Sequence, residues 1–167
     1  MNTAGLHPGT PAGQLDAYEI RLLGEIGLLA VGAGNARAAE DIFSGLLVLR
    51  PDRTLPYIGL ALAWQLKGDV EAAIRILSDE GARANPGSEE IQAFLGLVLE
   101  NAGRPNAGRR AMRGILADSV QVCDSPVRRL ARNFLAAAEG GCASADAPVP
   151  PLIVLSGPGA LPGAHFY

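Results

Sequence analysis

Apolar residues recur every three or four positions along the middle of the chain, and this spacing is typical of amphipathic helices. Leu22, Leu23, Ile26 and Leu29 show the pattern in the first such segment. Glycine or proline interrupts the pattern at regular intervals, which predicts several short helices joined by tight turns. The predicted helices span residues 15–32, 36–49, 55–67, 70–83, 89–102, 105–117 and 124–139.

Three copies of one segment follow each other along the chain. "AGNARAAEDIF" (33–43) aligns without a gap on "KGDVEAAIRIL" (67–77) at an offset of 34 residues, and "AGRPNAGRRAM" (102–112) follows at an offset of 35. A period of 34 residues with helix–turn–helix punctuation is typical of the tetratricopeptide repeat (TPR). The sequence therefore predicts an all-α fold of three TPR-like helix pairs that form a short right-handed superhelix.

The first helix of each unit has the residue types that a TPR needs where its two helices cross. A small residue stands at the close crossing in all three units, at Gly27, Ala61 and Gly96. The position that is usually given to Trp holds the polar Gln92 in the third unit. The third unit is therefore a degenerate copy of the repeat.

The stretch "LLAVGAGNARAAE" (28–40) admits a second interpretation, because an apolar run before Gly32 and Gly34 is also how a dinucleotide-binding turn begins. Such a turn follows a strand, whereas the residues before these glycines have helical spacing. The second glycine also recurs at Gly68 and Gly103, where no phosphate would be bound. We therefore expect the repeated glycines to end helices in the left-handed conformation, and a nucleotide-binding enzyme stays as the less favoured alternative.

Short polar residues stand where several of the predicted helices begin. Asn35 and Asp69 follow the repeated glycines, and both residue types accept amide hydrogen bonds at a helix N-terminus. Ser88 and Ser125 are expected to do the same, and Pro126 suits the first helical position because it has no amide to leave unpaired.

Composition divides the chain into three parts. Residues 1–13 are rich in Pro and Gly and are predicted to be a disordered arm, while residues 14–139 form the solenoid. The helix predicted at 124–139 has an apolar stripe on one face and arginines on the opposite face, which is typical of a capping helix. Residues 140–167 are predicted to be a Pro/Gly-rich disordered tail. Within it, "LIVLS" (152–156) is alternatively a short strand or a segment that occupies the protein's own groove.

Charge and composition narrow the class of protein. The net charge of −3 gives no reason to expect a nucleic-acid partner or an anionic membrane surface. No apolar run approaches the ~20 residues that span a bilayer, and the first residues lack the pattern of a secretory signal peptide. With only two cysteines, a disulfide framework is not expected, and the cytoplasm is the default location.

Residues with catalytic or metal-binding chemistry are few and scattered. His7 and His165 fall in the predicted disordered ends, Cys123 has no histidine near it, and no metal-ligand spacing occurs. We therefore expect no enzyme activity, no cofactor and no metal. The arginines of segment 109–113 are expected to form a solvated face, with contact to an acidic partner as the alternative.

The concave face of the predicted solenoid is the candidate functional surface, because the first helices of stacked TPR units line it. The repeat register places mostly aliphatic side chains there, which suits an amphipathic helix of a partner protein, with Gln65 and Glu100 setting the polarity at the edges. The alternative is that the arm or the tail fills this trough permanently. The predicted groove residues are Leu28, Val31, Ile58, Leu62, Gln65, Leu66, Ala93, Leu97 and Glu100.

Three segments carry a resemblance to a known family. "LLGEIGLLAVGAGNARAAEDIFSGL" (22–46), "LKGDVEAAIRIL" (66–77) and "DSPVRRLARNFL" (124–135) resemble the small TPR-like chaperones of bacterial type III secretion, and the needle-subunit class in particular. The resemblance covers roughly residues 18–138. It implies a cytoplasmic, non-catalytic chaperone that holds an amphipathic helix of the needle subunit in its concave face.

The same resemblance leaves alternatives open. Translocator chaperones, a sister class with three repeats, bind an extended segment of pore-forming translocators, and "YIGLALAWQLKGDVEAAI" (57–74) fits that class nearly as well. The needle-subunit class further implies a small helical co-chaperone at the N-terminal repeat. Outside secretion, a general TPR scaffold for protein–protein interaction is the remaining non-enzymatic alternative.

Overall fold

The helical spacing of the sequence corresponds to seven helices in the computed structural model, which describes residues 15–117 and 125–139. The helices are α1 (Ala17–Gly32), α2 (Ala36–Leu49), α3 (Thr54–Lys67), α4 (Val70–Arg75, continued by the π-helical segment Ile76–Gly81 and by Ala82–Ala84), α5 (Glu89–Asn101), α6 (Pro105–Ala117) and α7 (Pro126–Glu139). These two ranges contain no strand, so the predicted all-α fold is confirmed. The predicted arm and tail lie outside the described residues, as do His7, Cys123 and His165.

The helices pack as three successive pairs, α1 with α2, α3 with α4 and α5 with α6. Each pair also contacts the next one, because α2 lies against α3 and α4 lies against α5. The first helices of the pairs are neighbours as well, since α1 and α5 both contact α3. Helix α7 packs on α5 and α6, as the predicted capping helix does.

One turn geometry joins the two helices of each pair. Gly34, Gly68 and Gly103 have φ angles of 73°, 83° and 71°, which residues with a side chain rarely adopt. In each turn the amide that follows the glycine donates to a carbonyl five residues back. These bonds run from Asn35 to Ala30, from Asp69 to Trp64 and from Arg104 to Leu99, each with an N···O distance of 2.9 Å. They belong to Schellman motifs, so the predicted role of the glycines is confirmed.

Side-chain caps begin four helices where the sequence predicts them. The caps are Asn35, Asp69, Ser88 and Ser125. Each accepts a hydrogen bond from the amide three residues further on, with distances of 3.1, 2.9, 3.3 and 3.1 Å. Because both ends of most helices are fixed by such local bonds, the predicted boundaries agree with the observed ones to within two residues.

A large buried side chain lies against a small residue where the helices of a pair cross. Phe43 is fully buried, and a Cβ atom added to Gly27 would lie 2.8 Å from its Cζ. A Cβ atom added to Gly59 of α3 would lie only 2.3 Å from Phe43 Cγ. In the third pair, a Cβ atom added to Gly96 would lie 2.9 Å from Met112 Cε. The small residues therefore allow α1 and α3 to approach α2 closely.

The π-helical segment of α4 explains why the second repeat is one residue longer than the first. Phe43 and Leu77 are both fully buried and lie 34 residues apart. Beyond Leu77 the offset becomes 35, because Gly81, not Glu80, takes the buried place that Leu46 has in the first repeat. A π-helical bulge accommodates one additional residue in a helix without breaking it.

Carboxylates link each repeat to the next one. Glu40 of α2 accepts hydrogen bonds from the indole Nε1 of Trp64, at 3.1 Å, and from the ammonium group of Lys67, both on α3. These two donors, the lysine first, hold the pKa of Glu40 below its ordinary value. Glu71 of α4 receives a hydrogen bond of 2.6 Å from Arg104, which precedes α6. The stacking of the repeats thus has a polar component besides apolar burial.

Candidate peptide-binding groove

The predicted groove residues on α3 fall into two groups by exposure. Ile58 is only 6% exposed and belongs to the hydrophobic core. Leu62, Gln65 and Leu66 are half-buried, so each presents part of its side chain at the surface. Helix α3 contacts both α1 and α5, so these three residues belong to the middle one of the three first helices.

The groove residues on the two outer first helices divide in the same way. Leu28 of α1 is exposed and Leu97 of α5 is half-buried, whereas Val31 and Ala93 are 4% and 1% exposed. Ala93 lies in the core cluster that joins α5, α6 and α7. The repeat register predicts which face of a helix a residue lies on. It does not predict how closely a neighbouring helix packs against that residue. Val31, Ile58 and Ala93 are therefore core residues in this structure and offer a partner almost no surface.

Glu100 is half-buried, and one of its two carboxylate oxygens is covered. Its Oε2 atom is buried and has no hydrogen-bond partner in the described part of the chain. This atom lies at the crossing of α5 and α6, 3.5 Å from the place that a Cβ atom on Gly108 would take. Gln65 is half-buried and keeps an exposed portion.

A second apolar surface runs along the outside of α1. We call it the outer stripe, and its residues are Leu15, Tyr18, Leu22, Ile26 and Leu29. Leu15 precedes α1, and the spacing of three and four residues puts the other four on one side of the helix. The five side chains are between 39% and 72% exposed. The regular spacing is visible in the sequence, but it does not tell which apolar side of a helix faces the core.

A pocket of about 330 Å³ opens where α1, α2 and α3 meet, and the sequence analysis does not predict it. Its floor is apolar and includes the side chains of Ile20, Leu46 and Leu55. Three arginines from two separate parts of the sequence also line it. We call it the arginine-rimmed pocket, after Arg21, Arg50 and Arg53.

The arginine-rimmed pocket adjoins the predicted groove. Leu55 lines the pocket, and its Cδ2 would lie 2.8 Å from a Cβ atom added to Gly24 of α1. Leu55, Ile58 and Leu62 follow each other at helical spacing along one side of α3. The pocket therefore stands at the α3 N-terminal end of the same surface that contains Leu62 and Leu66.

The described residues outside these surfaces offer little further chemistry. A cavity of about 750 Å³ between the starts of α5 and α7 contains the ion pair of Glu89 with Arg128. Residues 15–117 and 125–139 contain no cluster of three side chains that would hold a metal ion. Nor is any helix in these ranges both long and apolar enough to cross a bilayer.

Solved structures of known proteins resemble this arrangement, although no family model and no curated protein matches the chain. The type III secretion translocator chaperone SycD of Yersinia enterocolitica is 17% identical, covers 72% of this chain and 91% of its own, and has a TM-score of 0.58. PcrH, in complex with the chaperone binding region of PopB, is 19% identical, covers 72% of this chain and 97% of its own, and has a TM-score of 0.58. The Sgt2 TPR domain of Aspergillus fumigatus is 19% identical, with 84% and 93% covered and a TM-score of 0.55.

The chain has a TPR-like fold. In such a fold the first helices of the pairs line the concave side, and the first helices here are α1, α3 and α5. The glycine-rich stretch that also allowed a nucleotide-binding interpretation is the first turn of this fold. The amides of Gly34 and Asn35 donate to Val31 and Ala30, so they are not available to a phosphate.

Proposed function

We propose that this protein is a non-catalytic, cytoplasmic chaperone of type III secretion of the translocator class. It holds a segment of a secreted translocator protein on the face that α1, α3 and α5 form. The observation that carries the proposal is the likeness over almost the whole length of SycD and PcrH, which are 91% and 97% covered. The structures of both proteins include complexes, SycD with a peptide of the translocator YopD and PcrH with a region of PopB.

The chemistry of the groove supports this proposal. Leu28, Leu62 and Leu66 are aliphatic and at least partly exposed, and α3 carries a single basic residue, Lys67, at its last position. Burial of apolar surface contributes ~25 cal/mol per Å², so a few such side chains supply several kcal/mol toward binding. The entropic cost of ordering the bound segment offsets part of that energy, so the net affinity is moderate. A complex of moderate affinity can dissociate when the client is secreted.

The needle-subunit class is the second candidate, and the outer stripe of α1 is the observation that favours it. A chaperone of that class is expected to bind a small helical co-chaperone at its N-terminal repeat. Five exposed apolar side chains at helical spacing are the surface that another amphipathic helix would cover. The solved structures named above are translocator chaperones and a TPR domain, so this class keeps the second place.

Purification of the tagged full-length chain from its native host, followed by mass spectrometry, tests the proposal. We expect a secreted translocator to co-purify in an amount comparable to that of the chain. Recovery of a needle subunit together with a small helical protein would support the second candidate instead. A general TPR scaffold predicts a partner without any link to secretion, and its recovery would contradict both secretion proposals.

A further inference from the structure

We propose that the arginine-rimmed pocket binds an acidic side chain and a neighbouring apolar side chain of the captured segment. This inference rests on the proposed function and specifies which segments of a client protein the chaperone binds. A pocket of about 330 Å³ lies at the lower end of the range for ligand sites, so its volume suits one or two side chains. Its position at the end of the groove lets one bound segment occupy both surfaces.

The charges around the pocket favour an acidic partner. Arg21, Arg50 and Arg53 line it, and no acidic residue does. Arg50 is half-buried, and no carboxylate in the described ranges forms an ion pair with it. Helix α3 starts at Arg53 without a side-chain cap, so its N-terminal dipole adds further positive potential at the rim.

The acids that neighbour the other two arginines do not block the pocket. Arg21 pairs with Glu25 at 2.9 Å and Arg53 with Asp52 at 3.5 Å, and all four side chains are more than half exposed. Exposed ion pairs of this kind contribute only ~0–1 kcal/mol, so an incoming carboxylate displaces them at small cost. The arginines stay paired in the free protein and exchange partners when a segment binds.

The apolar floor indicates that the bound segment supplies an apolar side chain in addition to the acidic one. Leu46 is 3% exposed and Leu55 is 37% exposed, so the floor ends in an aliphatic lip that faces solvent. An aliphatic side chain next to the carboxylate covers Leu55 while the guanidinium groups hold the acid. Residues 1–14, which precede α1, contain no Asp or Glu that would supply the acid.

Peptide arrays test this inference with the full-length chain. The probes are fifteen-residue peptides that tile the translocator proteins secreted by the host, each made with its acidic residues and with every Glu or Asp replaced by Gln or Asn. We expect the strongest wild-type binders to carry an acid beside an apolar residue and to lose about threefold to tenfold in affinity as the amide version. The variants Arg50→Gln and Arg53→Gln should bind both versions nearly equally, while Arg37→Gln, which removes an exposed charge elsewhere, should behave as wild type.

The outcomes separate this inference from the proposed function. Peptides that bind the wild type equally well in acidic and amide form would overturn the role of the pocket. If that binding were nevertheless lost in Leu62→Asp, the groove and the chaperone function would stand. If no peptide of any translocator bound the wild-type chain, the proposed function and the pocket would both be wrong.

Discussion

Arg128 Nε of α7 donates to Glu89 Oε1 of α5 at 2.7 Å, and these two side chains are only 11% and 24% exposed. The same carboxylate accepts the Ser125 hydroxyl at 2.9 Å, while that serine caps α7 through the Arg128 amide. A single carboxylate at the start of α5 therefore fixes the start of the capping helix. Because the pair is shielded from water, it is stronger than an exposed ion pair.

Replacement of Glu89 is expected to loosen α7. Glu89→Gln keeps the size of the side chain but removes the negative charge that faces the partly buried guanidinium of Arg128, which costs about 1–3 kcal/mol of unfolding free energy. Denaturant unfolding measures the loss, and hydrogen exchange should report faster exchange at the α7 amides. The control is Glu90→Gln, since the adjacent Glu90 is exposed and should change stability by no more than about 0.5 kcal/mol. Equal effects of both changes would contradict the assigned role of Glu89.

Two glycine-to-alanine changes should act in opposite directions. A Cβ atom at position 59 would stand 2.3 Å from Phe43 Cγ in the core, so Gly59→Ala is expected to destabilise the protein by about 1–3 kcal/mol. Gly45 lies inside α2 with no atom within 4 Å of the corresponding position. Gly45→Ala should therefore stabilise the protein by about 0.5–1 kcal/mol, because alanine restricts the unfolded chain. Thermal unfolding of the two variants measures both signs.

The boundaries of most helices could be predicted because local residues determine them. The glycine at 34 and the cap at 35 fix the turn between α1 and α2 without any distant contact, and the same pair of residues recurs at 68 and 69. The extra residue in α4 was also present in the sequence, as the change of offset from 34 to 35. Its location in a π-helical bulge depends on how Gly81 packs against Ile91 and Tyr57, which the spacing does not contain.

The candidate site was predictable only in part. The register places nine residues in the predicted groove, but Val31, Ile58 and Ala93 among them are buried because neighbouring helices approach closely. The arginine-rimmed pocket was missed because Arg21 lies on α1 while Arg50 and Arg53 flank the turn between α2 and α3, and only the packing of α1 against α2 and α3 brings them together. Burial and convergence of distant residues are tertiary properties, so one sequence alone does not reveal them.

The contact of Glu40 with Lys67 and Trp64 should make stability depend on pH. Hydrogen bonds from these donors lower the pKa of Glu40 in the folded state, so the folded protein binds this proton less readily than the unfolded chain does. The stabilisation is therefore fully present above the ordinary carboxyl pKa of 4.5 and is lost as the pH falls through the lowered pKa.

Thermal unfolding of the wild type and of Glu40→Gln at several pH values checks this dependence. We expect the wild type to have the higher Tm at pH 7 and the difference to shrink as the pH falls below 4.5. In a Lys67→Met background the difference should be smaller and should change less with pH, because the principal donor is absent. A wild-type advantage that stays constant down to the lowest pH would show that the Glu40 carboxylate is not responsible.

The last prediction concerns the groove itself. Leu62 is half-buried at the centre of α3, and an aspartate there places a charge where an apolar side chain of the client is expected to lie. Leu62→Asp should keep the helical circular dichroism spectrum but abolish co-purification of the secreted partner. Val48→Asp is the matched control, because Val48 of α2 is 84% exposed and lies on the second helix of its pair. Since Leu62 also touches the core, the milder Leu62→Gln separates a loss of binding from a loss of folding. Capture that survives in both Leu62 variants would mean that the client binds somewhere other than this groove.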